Sequence, residues 1–210
     1  MAHSRFSPSA SKRWMACPGS IQLSESIPFV MDTTIPAATG TLVHHMVEML
    51  LKERLENVTL SDYWLDREEE IDGFNIKVTK QMIECAEVYV DYVKTRKEEL
   101  DGTLLIEEKL YIDEISPECW GTGDATILGK KANRIAVIDL KTGKFPVDVE
   151  NIRTWDITAD NLVEWGFNIL KPAIEACLEP EPVFNAGRDQ CRFCRAKEIC
   201  EAYKQYEVSV

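Results

Sequence analysis

The sequence predicts an α/β fold: one domain with a small mixed β-sheet flanked by helices. Three observations predict it. Two long stretches with apolar residues at helical spacing, 37–57 and 74–100, precede three short β runs between residues 103 and 143. A further helical stretch, from Thr158 or Asp160 to about Glu175, follows them. The turn Gly129-Lys130-Lys131-Ala132-Asn133 joins the second and third β runs as a hairpin.

At 210 residues the chain is long enough for a sizeable core, and one domain is the default. Its 45% hydrophobic and 29% charged content is that of a globular protein. No run approaches the roughly 18 to 20 apolar residues of a membrane span, and the first six residues lack the apolar stretch of a signal peptide. The expectation is a cytoplasmic protein with no membrane partner. The net charge of −12 weighs against nucleic acid, because phosphate binding is dominated by Lys and Arg. Local patches decide binding, however, and the basic residues are grouped at Arg5, Lys12 and Arg13 and again at Lys130, Lys131, Arg134, Lys141 and Lys144. Seven cysteines, an odd number without a secretion signal, argue against a disulfide framework.

In chain order, residues 1–27 read as a short helical lead-in started at Ser7-Pro8-Ser9 and broken at Cys17-Pro18-Gly19. The helix over 37–57, capped by Thr39 or Thr41, carries Leu42, Val43, Met46, Val47, Leu50 and Leu51 on one side. His44 lies at the edge of that stripe and faces inward; His45 lies on the polar side. Residues 58–73 are an acidic loop with a short strand near Glu70 and Ile71. The helix over 74–100 serves packing, through Met82, Ile83, Ala86, Tyr89, Val90 and Val93. The first β run covers 103–112, with Glu107 alternating with apolar positions. A loop through Pro117 and Trp120 leads to the second, opened by Gly121-Thr122-Gly123-Asp124 and reaching Leu128. The third, 134–143, ends in Asp139 and Lys141, which the pleat places on one face. Residues 144–156 lack pattern, and Pro180 and Pro182 mark a linker before the cysteine-bearing C-terminus.

Two constellations carry chemistry. Cys191, Cys194 and Cys200 form C-x2-C-x5-C, a spacing that suits a soft metal or an iron–sulfur cluster. Cys17, in its own loop-like break, is the candidate fourth ligand, and zinc and iron–sulfur both remain open on spacing. Cys85, Cys119 and Cys177 read as small hydrophobic residues. Asp124 and Asp139 on adjacent strands, with the inward His44, make an oxygen-rich site for Mg²⁺ or Mn²⁺. Beside such an ion, Lys141 can orient a water or stabilise charge on a phosphate.

Together these pieces resemble the PD-(D/E)XK nuclease superfamily, in its RecB-like branch with a cysteine-bound iron–sulfur cluster. The likeness is to the phage and prophage group of that branch, and the chain is similar to CRISPR-adaptation exonucleases and AddB-type nuclease domains. It rests on the stretch from Ser9 to Ser20, then Gly40-Thr41-Leu42-Val43-His44, Gly121-Thr122-Gly123-Asp124, Ile138-Asp139-Leu140-Lys141-Thr142-Gly143-Lys144, and the terminal cysteines. The resemblance implies a restriction-endonuclease-like core in a single RecB-like domain over 1–210. It implies His44, Asp124 and Asp139 as ligands of Mg²⁺ or Mn²⁺, and Asp124, Asp139 and Lys141 as catalytic residues. It also implies a [4Fe–4S] cluster on Cys17, Cys191, Cys194 and Cys200, joining the N-terminal segment 1–27 to the C-terminal segment 183–210, with zinc as the alternative.

One family element has no counterpart. A helix bearing Q-x3-Y and a further strand normally follow the catalytic strand, yet no glutamine occurs between Gln81 and Gln190. The core is therefore expected to be reduced by one helix–strand unit. The function expected is metal-dependent hydrolysis of DNA, single-stranded or at duplex ends, by an exonuclease of phage recombination, replication or repair in the bacterial cytoplasm. Lys12, Arg13, Lys131 and Lys144 are the candidates for backbone contacts. The alternative is a catalytically impaired, shortened homologue that binds DNA or a phage or host recombination protein.

Overall fold

The computed structural model describes residues 4–28, 33–55, 58–131, 133–141 and 152–209. In chain order the elements are α1 (Ser11–Ala16), α2 (Ser20–Glu25), α3 (Ile35–Leu51), α4 (Leu60–Trp64), β1 (Glu68–Ile71), β2 (Phe74–Lys77), α5 (Lys80–Glu99), β3 (Gly102–Ile112), β4 (Ser116–Gly129), β5 (Arg134–Leu140), β6 (Ile152–Thr158), α6 (Ala159–Trp165), α7 (Lys171–Leu178), α8 (Arg188–Cys191) and α9 (Glu201–Ser209). The α/β class and the helix-flanked sheet are those the sequence predicts. Strands β1 and β2 form a two-stranded sheet, and the main sheet has the order β3-β4-β5-β6. The chain divides into two compact units: Met31–Glu108 with Thr122–Asp160, and Met1–Val30 with Lys109–Gly121 and Asn161–Val210.

In the first of these, alternation along β5 sends Ala136, Ile138 and Leu140 to one face. They join Ala125 and Ile127 of β4, the stripe Leu42, Val43, Met46 and Val47 of α3, and Met82, Ile83, Ala86, Tyr89, Val90 and Val93 of α5 in one buried core. Each of the Leu, Ile, Val and Met side chains among them contributes about 1.5–3 kcal/mol on full burial. The Tyr89 hydroxyl donates to the Ile138 carbonyl at 2.9 Å and ties α5 to β5. Pairing is antiparallel from β4 to β5, with Ala125 opposite Ile138, and from β5 to β6, with Asp139 opposite Arg153.

Several boundaries differ from expectation. Helix α3 starts at Ile35, capped by the Thr34 hydroxyl rather than by Thr39 or Thr41, because Pro36 fits the first helical turn. Helix α5 starts at Lys80, capped by Thr79. The residues before it, expected to be helical, form β2 instead. The apolar alternation Phe74, Ile76, Val78 is a strand signal, and Asp72 and Gly73, both at positive φ, make the tight turn from β1. Pro117 and Trp120 lie within β4 rather than in a loop. Residues 152–156, expected to lack pattern, and Thr158, a candidate helix cap, belong to the edge strand β6. The helix expected to end near Glu175 continues as α6, a π turn over Gly166–Leu170 and α7 to Leu178, with Pro172 tolerated in the first turn of α7.

In the second unit, Phe6, Trp14, Ile21, Cys119, Leu170, Ile174 and Cys177 form a smaller core. Phe6 and Trp14 meet edge to face at 5.6 Å. Cys119 and Cys177, like Cys85 in the larger core, are buried, and burial pushes the Cys85 and Cys177 thiols up to about 11. Such thiols are inert. Among the described residues no helix is long and apolar enough to cross a membrane.

Candidate functional site

The site is built on α3, β3, β4 and β5. The apolar stripe of α3 faces the core, so His44, one step off that stripe, reaches its rim half-buried. Its Nδ1 lies 3.5 Å from Asp124 Oδ1 and 3.8 Å from Glu107 Oε1. Among the described residues these three are the group of His, Cys, Asp or Glu whose ligand atoms all lie within 4.8 Å of one another. Glu107 arrives by a backbone irregularity: its φ is +52°, inside strand β3. A left-handed residue within a strand re-aims a side chain, at a conformational cost.

Asp139 and Lys141 stand beside this group. The Leu140 amide between them donates to Asp124 Oδ2 at 2.9 Å. Lys141 Nζ donates to Asp139 Oδ1 at 3.0 Å and lies 2.7 Å from Oδ2. That Oδ2 is buried, and the Lys141 ammonium is its charge partner. Asp139 is outside the three-residue group, so the structure brings together two of the three ligands expected from sequence and adds Glu107. Nothing in the sequence pattern separates Glu107 from an ordinary outward-facing strand charge; its dihedral does.

The electrostatics are those of crowded acids. Burial raises the Asp124 carboxyl above its ordinary pKa; His44 and the Leu140 amide oppose this, and the Asp139 and Glu107 charges add to it. For His44, burial pulls the pKa down, but the Glu107 and Asp124 carboxylates and the Leu140 carbonyl outweigh it, leaving the imidazole above its ordinary value. A divalent cation would relieve the repulsion. The distances also suit one: ligand atoms around an octahedral magnesium at about 2.1 Å lie about 2.9–4.2 Å apart.

The second unit gathers the other constellation. Cys17, Cys191, Cys194 and Cys200 all line one cavity, with Leu23, Phe184 and Tyr203 on its walls. Two thiols accept backbone hydrogen bonds, Cys17 from Asn185 at 3.3 Å and Cys191 from Gly187 at 3.4 Å. Cys17 is raised by burial, against the Asn185 and Ser20 amides. Segment 183–185 is held to the N-terminal segment by Gly19 N–H to the Val183 carbonyl at 2.9 Å. A tetrahedral zinc bonded at about 2.3 Å keeps its sulfurs about 3.8 Å apart. No three of the four thiols lie within 4.8 Å of one another, so they are not gathered around a single tetrahedral point.

The family described as Protein of unknown function (DUF2800) matches residues 3–152 and, in a second match, residues 145–210. The chain belongs to that family. In this DUF2800 chain both matches include residues 145–152. No solved structure gives a significant match.

The basic candidates of the DUF2800 chain have different surroundings. Lys12 is paired with Asp189 at 2.8 Å, and Arg13 donates to Ser20 and Ser24, joining α1 to α2. Lys131 is exposed, 4.0 Å from Asp101. Lys144, with Thr142 and Gly143, lies outside the described residues. Arg153, which sequence reasoning passed over, is exposed opposite Asp139. The β6 register, invisible without the fold, is what marks it.

Proposed function

We propose that this chain is a Mg²⁺- or Mn²⁺-dependent deoxyribonuclease, an exonuclease of phage recombination, replication or repair acting in the bacterial cytoplasm. The observation that carries the reading is the convergence of His44, Glu107 and Asp124 next to the Asp139–Lys141 pair. His44, Glu107 and Asp124 would hold the ion, and Asp139, whose carboxylate is ion-paired with Lys141, stands beside them as a further oxygen donor. A bound divalent ion supplies Lewis acidity, activating water and neutralising phosphate charge. Lys141, anchored by Asp139, orients the attacking water and stabilises charge developing on the phosphate. Neutral His44 offers a lone pair; protonated, it is lost as a ligand. In the second unit we infer a [4Fe–4S] cluster on the four thiols, supported by their convergence on one cavity and by the backbone donors to sulfur, with zinc as the alternative.

The test is degradation of end-labelled linear DNA with Mn²⁺, with Lys141→Ala as control. Released nucleotides, reduced roughly 100-fold or more in the variant, are expected. No release, or release indifferent to Lys141, defeats the catalytic assignment. The second reading, a shortened homologue that binds DNA or a recombination protein without cutting, is supported by the meeting of the two DUF2800 matches at 145–152. The RecB-like pattern has its Q-x3-Y helix at that point. Binding without cleavage would select this reading.

A further inference from the structure

The outward face of β5 and β6 carries an arrangement that the metal site does not use. Thr154 and Asp156 of β6 turn toward α5: Thr154 Oγ1 lies 2.9 Å from Tyr92 Oη, and Asp156 takes a 2.7 Å ion pair from Arg96. Alternation therefore sends Arg153 and Trp155 to the opposite face. There they stand opposite Asp139 and Val137 of β5. Trp155 is 52% exposed, and Arg153 is exposed beside it. A tryptophan that served only to pack on β5 would be covered. The acid on this stretch, Asp139, is already matched by Lys141, so Arg153 adds positive charge.

We propose that this face is a platform for single-stranded DNA, on which Trp155 stacks a base and Arg153 holds the neighbouring phosphate. Two residues along a strand lie about 6.7 Å apart, so ring and guanidinium can engage adjacent parts of one nucleotide. The platform leads to Asp139 and Lys141 through the β5–β6 register, and so delivers the strand to the proposed metal site. Charge favours nucleic acid as the occupant over a second copy of an acidic chain: Arg153 is the next same-face residue to the ring, with Lys141 beyond it toward the metal site, and sequence-tolerant stacking with cationic grip is how single strands are held. A duplex keeps its bases stacked on one another and cannot use the ring. The inference rests on the nuclease reading for its purpose, not for its measurement.

The experiment uses the full chain and a fluorescein-labelled oligothymidylate, with binding read by anisotropy in Ca²⁺ between about 50 and 200 mM KCl. Trp155→Ala should weaken binding roughly 5- to 150-fold with the salt slope unchanged. Arg153→Gln should lower the slope of log K against log salt by about 0.7, and Arg153→Lys should retain it. Wild-type affinity in both Trp155→Ala and Arg153→Gln, or no binding by the wild type, overturns the platform. So does a change of oligomeric state in Trp155→Ala with DNA binding intact, which would assign the face to a second copy. The same preparations are assayed for cleavage. Binding that depends on Trp155 and Arg153 without cleavage overturns the nuclease reading alone. Cleavage that needs Lys141 but binding that ignores Trp155 and Arg153 overturns the platform alone.

Discussion

The main-chain N–H of Leu140 donates to Asp124 Oδ2 at 2.9 Å, where the β4–β5 ladder stops at the pair Ala125–Ile138. A side-chain carboxylate thus takes over a strand amide. One residue serves both sheet and site, which separates two substitutions. Asp124→Ala leaves the amide without its acceptor and should cost about 1–3 kcal/mol. Asp124→Asn keeps an acceptor oxygen. Because the folded-state pKa of Asp124 is raised, the folded chain binds more protons than the unfolded one above pH 3.8, and stability falls as pH rises through that window. At neutral pH the ion-free protein carries that penalty and Asp124→Asn removes it. In EDTA the Asn variant should melt at or above the wild type. Added Mn²⁺ should raise the wild type only. A Mn²⁺-induced rise in the variant would sink Asp124 as a ligand.

His44 gives the opposite sign. Its pKa is raised in the folded state, so its contribution is fully present below the unfolded value of 6.5 and is lost as pH rises through the folded pKa. In EDTA, melting temperatures should therefore decline from about pH 6.5 upward. His44→Asn should flatten that decline. Mn²⁺ affinity should run the other way, increasing over the same interval as the imidazole loses its proton. Calorimetric titrations at several pH values check this, and affinity independent of pH would remove His44 from the ligand set.

Periodicity made part of this legible in advance. His44 is separated from His45 by one position, and the wheel of α3 alone assigns the first to the rim and the second to the exposed side, where it meets the Trp64 ring. The Gly129–Asn133 turn and the paired apolar runs around it likewise imply β4 and β5. Glu107 was not legible, because an acid alternating with apolar residues is what any half-exposed strand contains, and only its positive φ distinguishes it. Strand β6 was hidden for a related reason. Its inward positions include Thr154 and Asp156, which are satisfied by Tyr92 and Arg96 of α5, so the inward face shows no hydrophobic contrast. Such polar contacts are tertiary, and no local pattern announces them.

The four thiols should act as one unit. Anaerobically purified protein is expected to be brown, and Cys17→Ser, Cys191→Ser, Cys194→Ser or Cys200→Ser should each bleach it. Cys119→Ser, at a thiol that donates to the Phe6 carbonyl and lies outside the cavity, should keep the colour. Since ligand-group binding is linked to folding, loss of the cluster should lower the unfolding midpoint as well. Iron and acid-labile sulfide analysis decides the outcome: a colourless protein with one zinc per chain rejects the cluster.

Glu107 offers the sharpest separation of stability from binding. Its φ of +52° belongs to a conformation that costs an ordinary side chain about 1–2 kcal/mol, whereas asparagine enters it more readily. Its carboxylate also adds to the repulsion that raises Asp124. Glu107→Asn should accordingly stabilise the ion-free protein by up to about 1 kcal/mol, while abolishing the stabilisation by Mn²⁺. Glu107→Gln removes the charge but keeps the strained backbone, so it should gain less in EDTA and respond as little to Mn²⁺. If the glutamine variant gained as much as the asparagine variant, the relief would come from charge alone and the backbone would be unstrained. If both lost stability in EDTA while retaining the full Mn²⁺ response, Glu107 would be a structural residue of β3, and the ion would be held by His44, Asp124 and Asp139 without it.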